Sequence, residues 1–185
     1  LRTLKISEFA FFLGMFQILL NRLTGQRDLV VGTDVFGRDH ARFKQVAGFF
    51  VNQLALRTQI APGQDLASFL QQVSADTHAA LQFQEMPFDK VVDDLQIERD
   101  QAYSPVFQVK FLYRRNSLNL DVFDGVHTWN KDLFPIQSQY DLTLQVLPDQ
   151  VQAFYNPDLF HATTVAGWLD LYLALLHESV QKGVQ

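Results

Sequence analysis

Five histidines, at positions 40, 78, 127, 161 and 177, are the residues of this sequence best suited to proton transfer or metal ligation. No two of them stand at ligand spacing, and no His-Glu-x-x-His string occurs, so no metal site is expected. His78 falls mid-helix, off the apolar stripe, and reads as a surface residue. His161 stands just before the last helix, where a capping role suits it better than catalysis. Asp93 and Asp94 could suggest a carboxylate pair, but adjacent helix positions do not face one another, so they read as a solvated polar face. The absence of cysteine rules out disulfides and thiol nucleophiles. Gly32 and Gly37 lack the spacing and the following Lys-Ser/Thr of a phosphate loop. From the residues alone, no catalytic group is assigned.

Two polar residues remain. Asn52 lies in a segment that otherwise reads as a strand, where asparagine is depleted. Its presence there asks for a partner; a structural hydrogen bond competes with a ligand contact. Arg57 follows five positions later, so the two side chains point to opposite faces. For Arg57, an ion pair or a contact to a neighbouring lobe is preferred to chemistry. Gly48 marks a backbone conformation closed to other residues.

The elements that must position these residues follow from periodicity. Residues 7–23 read as a helix, with Ser7 as N-cap and Glu8 in the first turn. Residues 29–36 read as a buried strand, 37–47 as a polar loop carrying Gly37, Arg38, Asp39 and His40, and 49–60 as a second strand. Asp65 caps a helix whose stripe is Leu66, Phe69, Leu70, Val73 and Leu81. Pro87 suits the first position of a short helix, with Phe88, Val91, Val92 and Leu95 on its apolar face. In 105–113, Phe107, Val109, Phe111 and Tyr113 alternate with Gln108 and Lys110. Residues 141–147 and 151–155 form a hairpin around Pro148-Asp149. The last helix runs from Ala162 to Gln181, with the stripe Val165, Trp168, Leu169, Tyr172, Leu173, Leu176 and Val180. Five strands and four helices in this order predict an α/β (α+β) two-layer sandwich, a mixed β-sheet with helices on one face. Residues 114–139 are long and irregular, which marks them as functional or bridging.

Composition sets the outer limits. The chain has 185 residues, 48% hydrophobic and 19% charged, enough for one core. Its net charge of −5 and the lack of any basic run beyond Arg114-Arg115 argue against nucleic acid as a partner. The apolar stretch Phe9 to Leu20 is too short to span a membrane, and no signal peptide accompanies it. The expected location is cytoplasmic. Leu rather than Met at position 1 suggests a piece of a longer protein.

Three segments resemble the condensation domains of nonribosomal peptide synthetases. Val46-Ala47-Gly48-Phe49-Phe50-Val51-Asn52-Gln53-Leu54-Ala55-Leu56-Arg57 is similar to that family's fifth core motif, Ile-Gly-x-Phe-Val-Asn-Thr followed by an apolar stretch and Arg. Ala47 and Gln53 depart from it. Phe83-Gln84-Glu85-Met86-Pro87-Phe88-Asp89 resembles the sixth, His-Gln-Asp-x-Pro-Phe-Glu, with Phe83 in place of His. Arg99-Asp100 through Ser104-Pro105-Val106-Phe107 resembles the seventh, Arg-Asp-x-Ser-Arg-Asn-Pro-Leu. Residues 23–33, Tyr140-Asp141-Leu142-Thr143-Leu144 and Tyr155 to Phe160 also agree, so the likeness runs over nearly the whole chain in order.

The resemblance implies that residues 1–185 are the C-terminal lobe of a two-lobed, chloramphenicol-acetyltransferase-like domain, with 114–139 crossing to the N-terminal lobe. It implies peptide bond formation between a donor thioester and an acceptor amine in a tunnel between the lobes. No cofactor is held directly; donor and acceptor peptidyl carrier proteins bring their substrates on phosphopantetheine. Further implied partners are the N-terminal lobe and an adjacent adenylation domain. The family's His-His-x-x-x-Asp-Gly string does not occur in this sequence, so no catalytic residue is assigned and the chain alone is expected to be inactive. Asn52 and Gln53 are the candidate substrate-binding residues, and an Asn52→Ala change is expected to slow condensation with little effect on the thermal midpoint. Gly48, Arg57, Pro87, Phe88, Arg99 and Asp100 are structural motif positions. A noncatalytic module recruiting carrier proteins or a tailoring enzyme, and an ester-forming acyltransferase, remain open.

Overall fold

A computed structural model describes residues 4–38, 41–43, 45–97, 103–115 and 139–181. Arg99, Asp100 and most of the expected crossover at 114–139 lie outside the described residues.

Helix α1 (Glu8–Thr24) begins where the side chain of Ser7 accepts a hydrogen bond from the Ala10 amide at 3.1 Å. It ends at Gly25, whose φ of 72° lets its amide turn back to the Asn21 carbonyl. Strand β1 (Asp28–Val35) follows, then a single 3₁₀ turn (Ala41–Phe43) within a long loop, then β2 (Asn52–Gln59). Helix α2 (Leu66–Leu81) is capped by Asp65, which accepts from the Ser68 amide at 2.9 Å. Next come the short helix α3 (Phe88–Asp94), β3 (Val109–Tyr113), β4 (Leu142–Val146), β5 (Val151–Tyr155) and α4 (Ala162–Gln181).

The strands form one mixed sheet in the order β2-β1-β3-β4-β5. The β1–β2 and β4–β5 pairs are antiparallel, while β1–β3 and β3–β4 are parallel. Alternation then assigns the faces. Leu29, Val31 and Val35 of β1, Leu54 and Leu56 of β2, Phe111 of β3 and Leu142, Leu144 and Val146 of β4 join one core with α1, α2 and α4. Phe16 of α1 sits at its centre, stacked on Phe111 at 5.9 Å and edge-on to Tyr172 at 6.3 Å. Tyr172 spends its hydroxyl on the Phe12 carbonyl at 2.9 Å. Gln17, fully buried, ties α1 to β2 by donating to the Thr58 hydroxyl at 2.9 Å.

Several stripe positions depart from expectation. Leu81 at the end of α2 is exposed, and so are Leu95, Leu173 and Val180, whereas Leu175 and Ser179 of α4 are buried. Periodicity locates a stripe to within one position, and the neighbouring elements decide where it ends. Pro87 is the N-cap of α3 rather than its first helical residue. Phe107 makes the larger correction. It precedes β3 and follows Val106, which stands at φ 72° in the left-handed region that β-branched residues rarely adopt. That turn sends Phe107 to the face opposite Phe111, over Gly32, where a Cβ would come within 2.0 Å of the Phe107 ring.

Candidate functional site

The connection between β1 and β2 spans residues 36–51, and its described residues form no ladder of their own; a loop of this length is uncommon without a function. Its order comes from Gly37 and Arg38. Gly37 has φ 59°, and a Cβ there would lie 2.3 Å from the Phe50 carbonyl oxygen, so only glycine lets the two ends of the loop approach. Arg38 Nη1 donates to the carbonyls of Phe43 and Val46 at 2.7 and 2.6 Å, and Nη2 to that of Gly48 at 3.0 Å. Its guanidinium carbon also lies 4.4 Å from the centre of the Phe50 ring. The Phe50 and Phe43 rings are 5.3 Å apart, and Arg42 covers Phe43 at 4.7 Å. Gly48 does not have a left-handed φ, contrary to expectation. It lies under Phe50, whose ring carbon Cε2 a Cβ would approach to 3.0 Å, so close packing rather than backbone conformation explains the glycine.

Asn52 opens β2 at the end of this loop. Its side-chain amide donates to the carbonyls of Gln84 at 2.9 Å and Met86 at 2.6 Å, and its Oδ1 accepts from the Phe88 amide at 3.1 Å. One side chain thus holds the whole 84–88 turn and the start of α3 against the sheet. An Asn52→Ala change would leave these three backbone groups to find water, so the structure predicts a fall in the thermal midpoint where the sequence led us to expect little change. Between the loop and the turn lies an open pocket of about 450 Å³. Phe43, Phe49, Phe50 and Pro87 supply its apolar walls, with Arg42 and Glu85 at its polar edge. Phe49 is 88% exposed, and Phe36, Phe83 and Met86 are exposed nearby.

Gln53 and Arg57 lie on the sheet face that α1, α2 and α4 leave open. Gln53 Nε2 donates to the Tyr140 hydroxyl at 2.7 Å. The Tyr140 ring stacks on Phe107 at 5.4 Å and faces Lys110 Nζ at 5.0 Å. Lys110 in turn pairs with Asp34 at 2.7 Å, its side chain only 10% exposed. Phe88 reaches this face too, 5.3 Å from Phe107. It is half-buried, and only Val92 of its helix is fully buried. Arg57 forms a two-point ion pair with Asp28, at 2.9 and 2.6 Å, and Gln59 adds a third bond to the same carboxylate. The hydrogen bonds from Arg57 hold the Asp28 carboxyl well below its usual range, and Asp28 raises Arg57 in return. Burial pushes the Asp141 carboxyl up, at the entrance to β4.

The structure therefore brings Asn52 and Pro87 to one pocket, packs Gly48 under the Phe50 ring that walls it, and places Gln53, Arg57 and Phe88 on the neighbouring open face. Arg38, Lys110 and Tyr140 were read in the sequence only as loop, strand and family-segment positions, with no site role. For Arg38 a signal existed, a glycine followed by a cation inside a loop too long to hold itself. Lys110 and Asp34 are 76 positions apart and carry none. His161 caps α4 with its backbone carbonyl, and His78 is exposed beside Gln82. Among the described residues no cluster of His, Cys, Asp or Glu could hold a metal ion, and no helix is long and apolar enough to cross a membrane.

Comparison with known proteins agrees over the whole chain. The condensation domain family model matches residues 5–185. Tyrocidine synthase 3 of Brevibacillus parabrevis is 36% identical over 169 residues, 89% of this chain and 3% of that protein. Phosphinothricin tripeptide synthetase PhsC of Streptomyces viridochromogenes is 36% identical over 186 residues, 94% of this chain and 16% of that protein. A four-domain nonribosomal peptide synthetase solved with AMP and glycine superposes with a TM-score of 0.82 at 27% identity, covering 98% of this chain and 15% of that one. The X-domain from teicoplanin biosynthesis shares the fold, with a TM-score of 0.83 at 18% identity over all of this chain and 44% of its own. The chain spans only a small part of the curated relatives it matches.

Proposed function

Because this chain belongs to the condensation-domain family of nonribosomal peptide synthetases, we propose that it is the C-terminal lobe of such a domain and one wall of its substrate tunnel. In the proposed reaction an acceptor amine attacks the carbonyl of a donor thioester. The N–C bond forms, the C–S bond breaks, and the amine proton leaves as the thiol departs. Donor and acceptor arrive on the phosphopantetheine arms of peptidyl carrier proteins, and an adenylation domain lies beside the domain in the same synthetase. This chain binds and orients, which supplies much of the rate in reactions that join two substrates. The proton-handling histidine belongs to the His-His-x-x-x-Asp-Gly string that this sequence lacks.

One observation carries the reading. Asn52, from the fifth motif, hydrogen-bonds the 84–88 turn of the sixth, and the two segments wall one open, apolar pocket. In this reading the Asn52 amide fixes the shape of that wall, and Gln53 presents a polar group on the face turned to the other lobe. The rings of Phe36, Phe49 and Phe83, exposed in this chain, are covered in the complete domain.

The test is a single-turnover assay with loaded donor and acceptor carrier proteins, run on this chain, on the complete domain and on the two lobes mixed. The expected result is peptide from the complete domain and none from this chain. Peptide made by this chain alone would overturn the assignment. No peptide from the complete domain, together with tight carrier binding, would make it a recruiting module. Product with a hydroxyl acceptor in place of the amine would make it an ester-forming enzyme.

A further inference from the structure

The aromatic wall of the pocket has no strand or α-helix to hold it. Phe43 ends a single 3₁₀ turn, and Phe50 lies in a stretch without strand pairing. Both rings are tied to Arg38: Phe50 through its ring face, and Phe43 through its carbonyl and the Phe50 ring, with Arg42 also over Phe43. Arg38 gathers the carbonyls of Phe43, Val46 and Gly48, three points spread over the loop, onto one planar guanidinium. The same guanidinium backs the Phe50 ring at 4.4 Å, and Phe50 supports Phe43 at 5.3 Å. Gly37 beside it lets the loop close to within contact of the Phe50 carbonyl. Arg38 itself does not line the pocket. A guanidinium suits this task because its rigid fork offers several donors in one plane and a flat surface for a ring; an ammonium group offers a point charge.

We infer that Arg38 is the positioning residue of this pocket: it sets the spacing of the Phe43 and Phe50 rings, and through them the size of the substrate side chain the pocket accepts. The inference rests on the proposed reading of the pocket as substrate-facing. A hydrophobic pocket with fixed walls distinguishes one methylene by about 10-fold or more in kcat/KM, and a wall free to move loses that margin. The chemical step itself is left alone, because Arg38 touches no reacting atom.

The test uses the complete condensation domain that carries this chain, with the variants Arg38→Gln, Arg38→Lys and Phe50→Leu. Two readouts are taken: hydrogen exchange of residues 41–50, and kcat and KM for carrier-bound substrates differing by one methylene in the side chain. Arg38→Gln is expected to speed exchange over 41–50 and to lower the discrimination between the two substrates by about tenfold, the worth of one charged hydrogen bond. The change should fall on KM, with saturated kcat held within about twofold. Arg38→Lys should not restore discrimination. Phe50→Leu keeps the carbonyl bonds, so it should shift the size preference while leaving exchange slow. Unchanged exchange in Arg38→Gln would overturn the inference and leave the pocket reading intact. Faster exchange in Arg38→Gln, with discrimination unchanged in both Arg38→Gln and Phe50→Leu, would show that substrate does not sit there, and the inference would fall with the reading. Should Arg38→Gln not fold, Phe50→Leu decides alone, and an unshifted size preference overturns the proposal.

Discussion

The two faces of the sheet are built by different physics. On the helix-covered face, Phe16, Phe111, Leu144 and Tyr172 are almost wholly buried and interlock with their neighbours. Apolar burial of this kind is strong and non-directional. On the open face the strands carry Gln53, Lys110 and Asp34, joined with Tyr140 just before β4 by a hydrogen bond, an ion pair and a cation–ring contact. A buried ion pair adds little net stability, because desolvation offsets the attraction, but it fixes where each group stands. The first face decides that the chain folds. The second, together with the Asn52 clamp, decides where a few polar groups point.

If that division holds, substitutions on the core face should dominate stability. Phe16→Ala is expected to cost about 3–5 kcal/mol, the range for a fully buried Phe. Urea denaturation checks it, and a loss under about 1.5 kcal/mol would mean the core does not centre on this ring. Gly32→Ala tests a tightly packed place on the open face, where Phe107 lies against Gly32. The new methyl group would strike the Phe107 ring, and overpacking of this kind costs about 1–3 kcal/mol. A neutral effect in the same assay would show that Phe107 moves freely. Asn52→Ala should cost about 1–2 kcal/mol, since the three backbone groups it serves are only partly buried and can turn to water. Its mark is local: protease cleavage in 83–88 should rise well before global unfolding. Cleavage that stays tied to global unfolding would break the distinction between clamp and core.

The smallest effect is electrostatic. The Asp28 carboxyl is held low by Arg57, so its contribution is present above the ordinary carboxylate pKa, near 4, and is lost as pH falls through the depressed folded value. Arg57→Gln should therefore lower stability slightly at pH 7 and flatten the acid limb, the two profiles converging as pH falls below about 4. Because the pair is exposed, the difference should shrink as salt is added. A pH profile identical to that of the unsubstituted chain would remove Asp28–Arg57 from the account.

Much of this was legible in the sequence. Ser7 and Asp65 cap their helices as read, because a cap is a contact over three residues. The order of elements, the β4–β5 hairpin and the covered strand faces followed from periods of 3.6 and 2. The fifth and sixth motif strings did not tell that Asn52 ties the two segments together. Its partners lie 32 to 36 positions away and exist only once β2 has paired with β1.

What the sequence determined by itself is therefore local and periodic: caps, stripes, turns and the motif strings that mark the family. Tertiary structure alone decided the rest. Val106 at positive φ turned Phe107 away from the face its position in the alternation implied. The parallel pairing of Gly32 with Lys110 put the ammonium group beside a strand position two residues from Asp34 and on the same face, a meeting of positions 76 apart. The closure of the 36–51 loop brought three carbonyls to Arg38. Each of these depends on strand register or loop closure, which settle only when the whole sheet has packed against its helices.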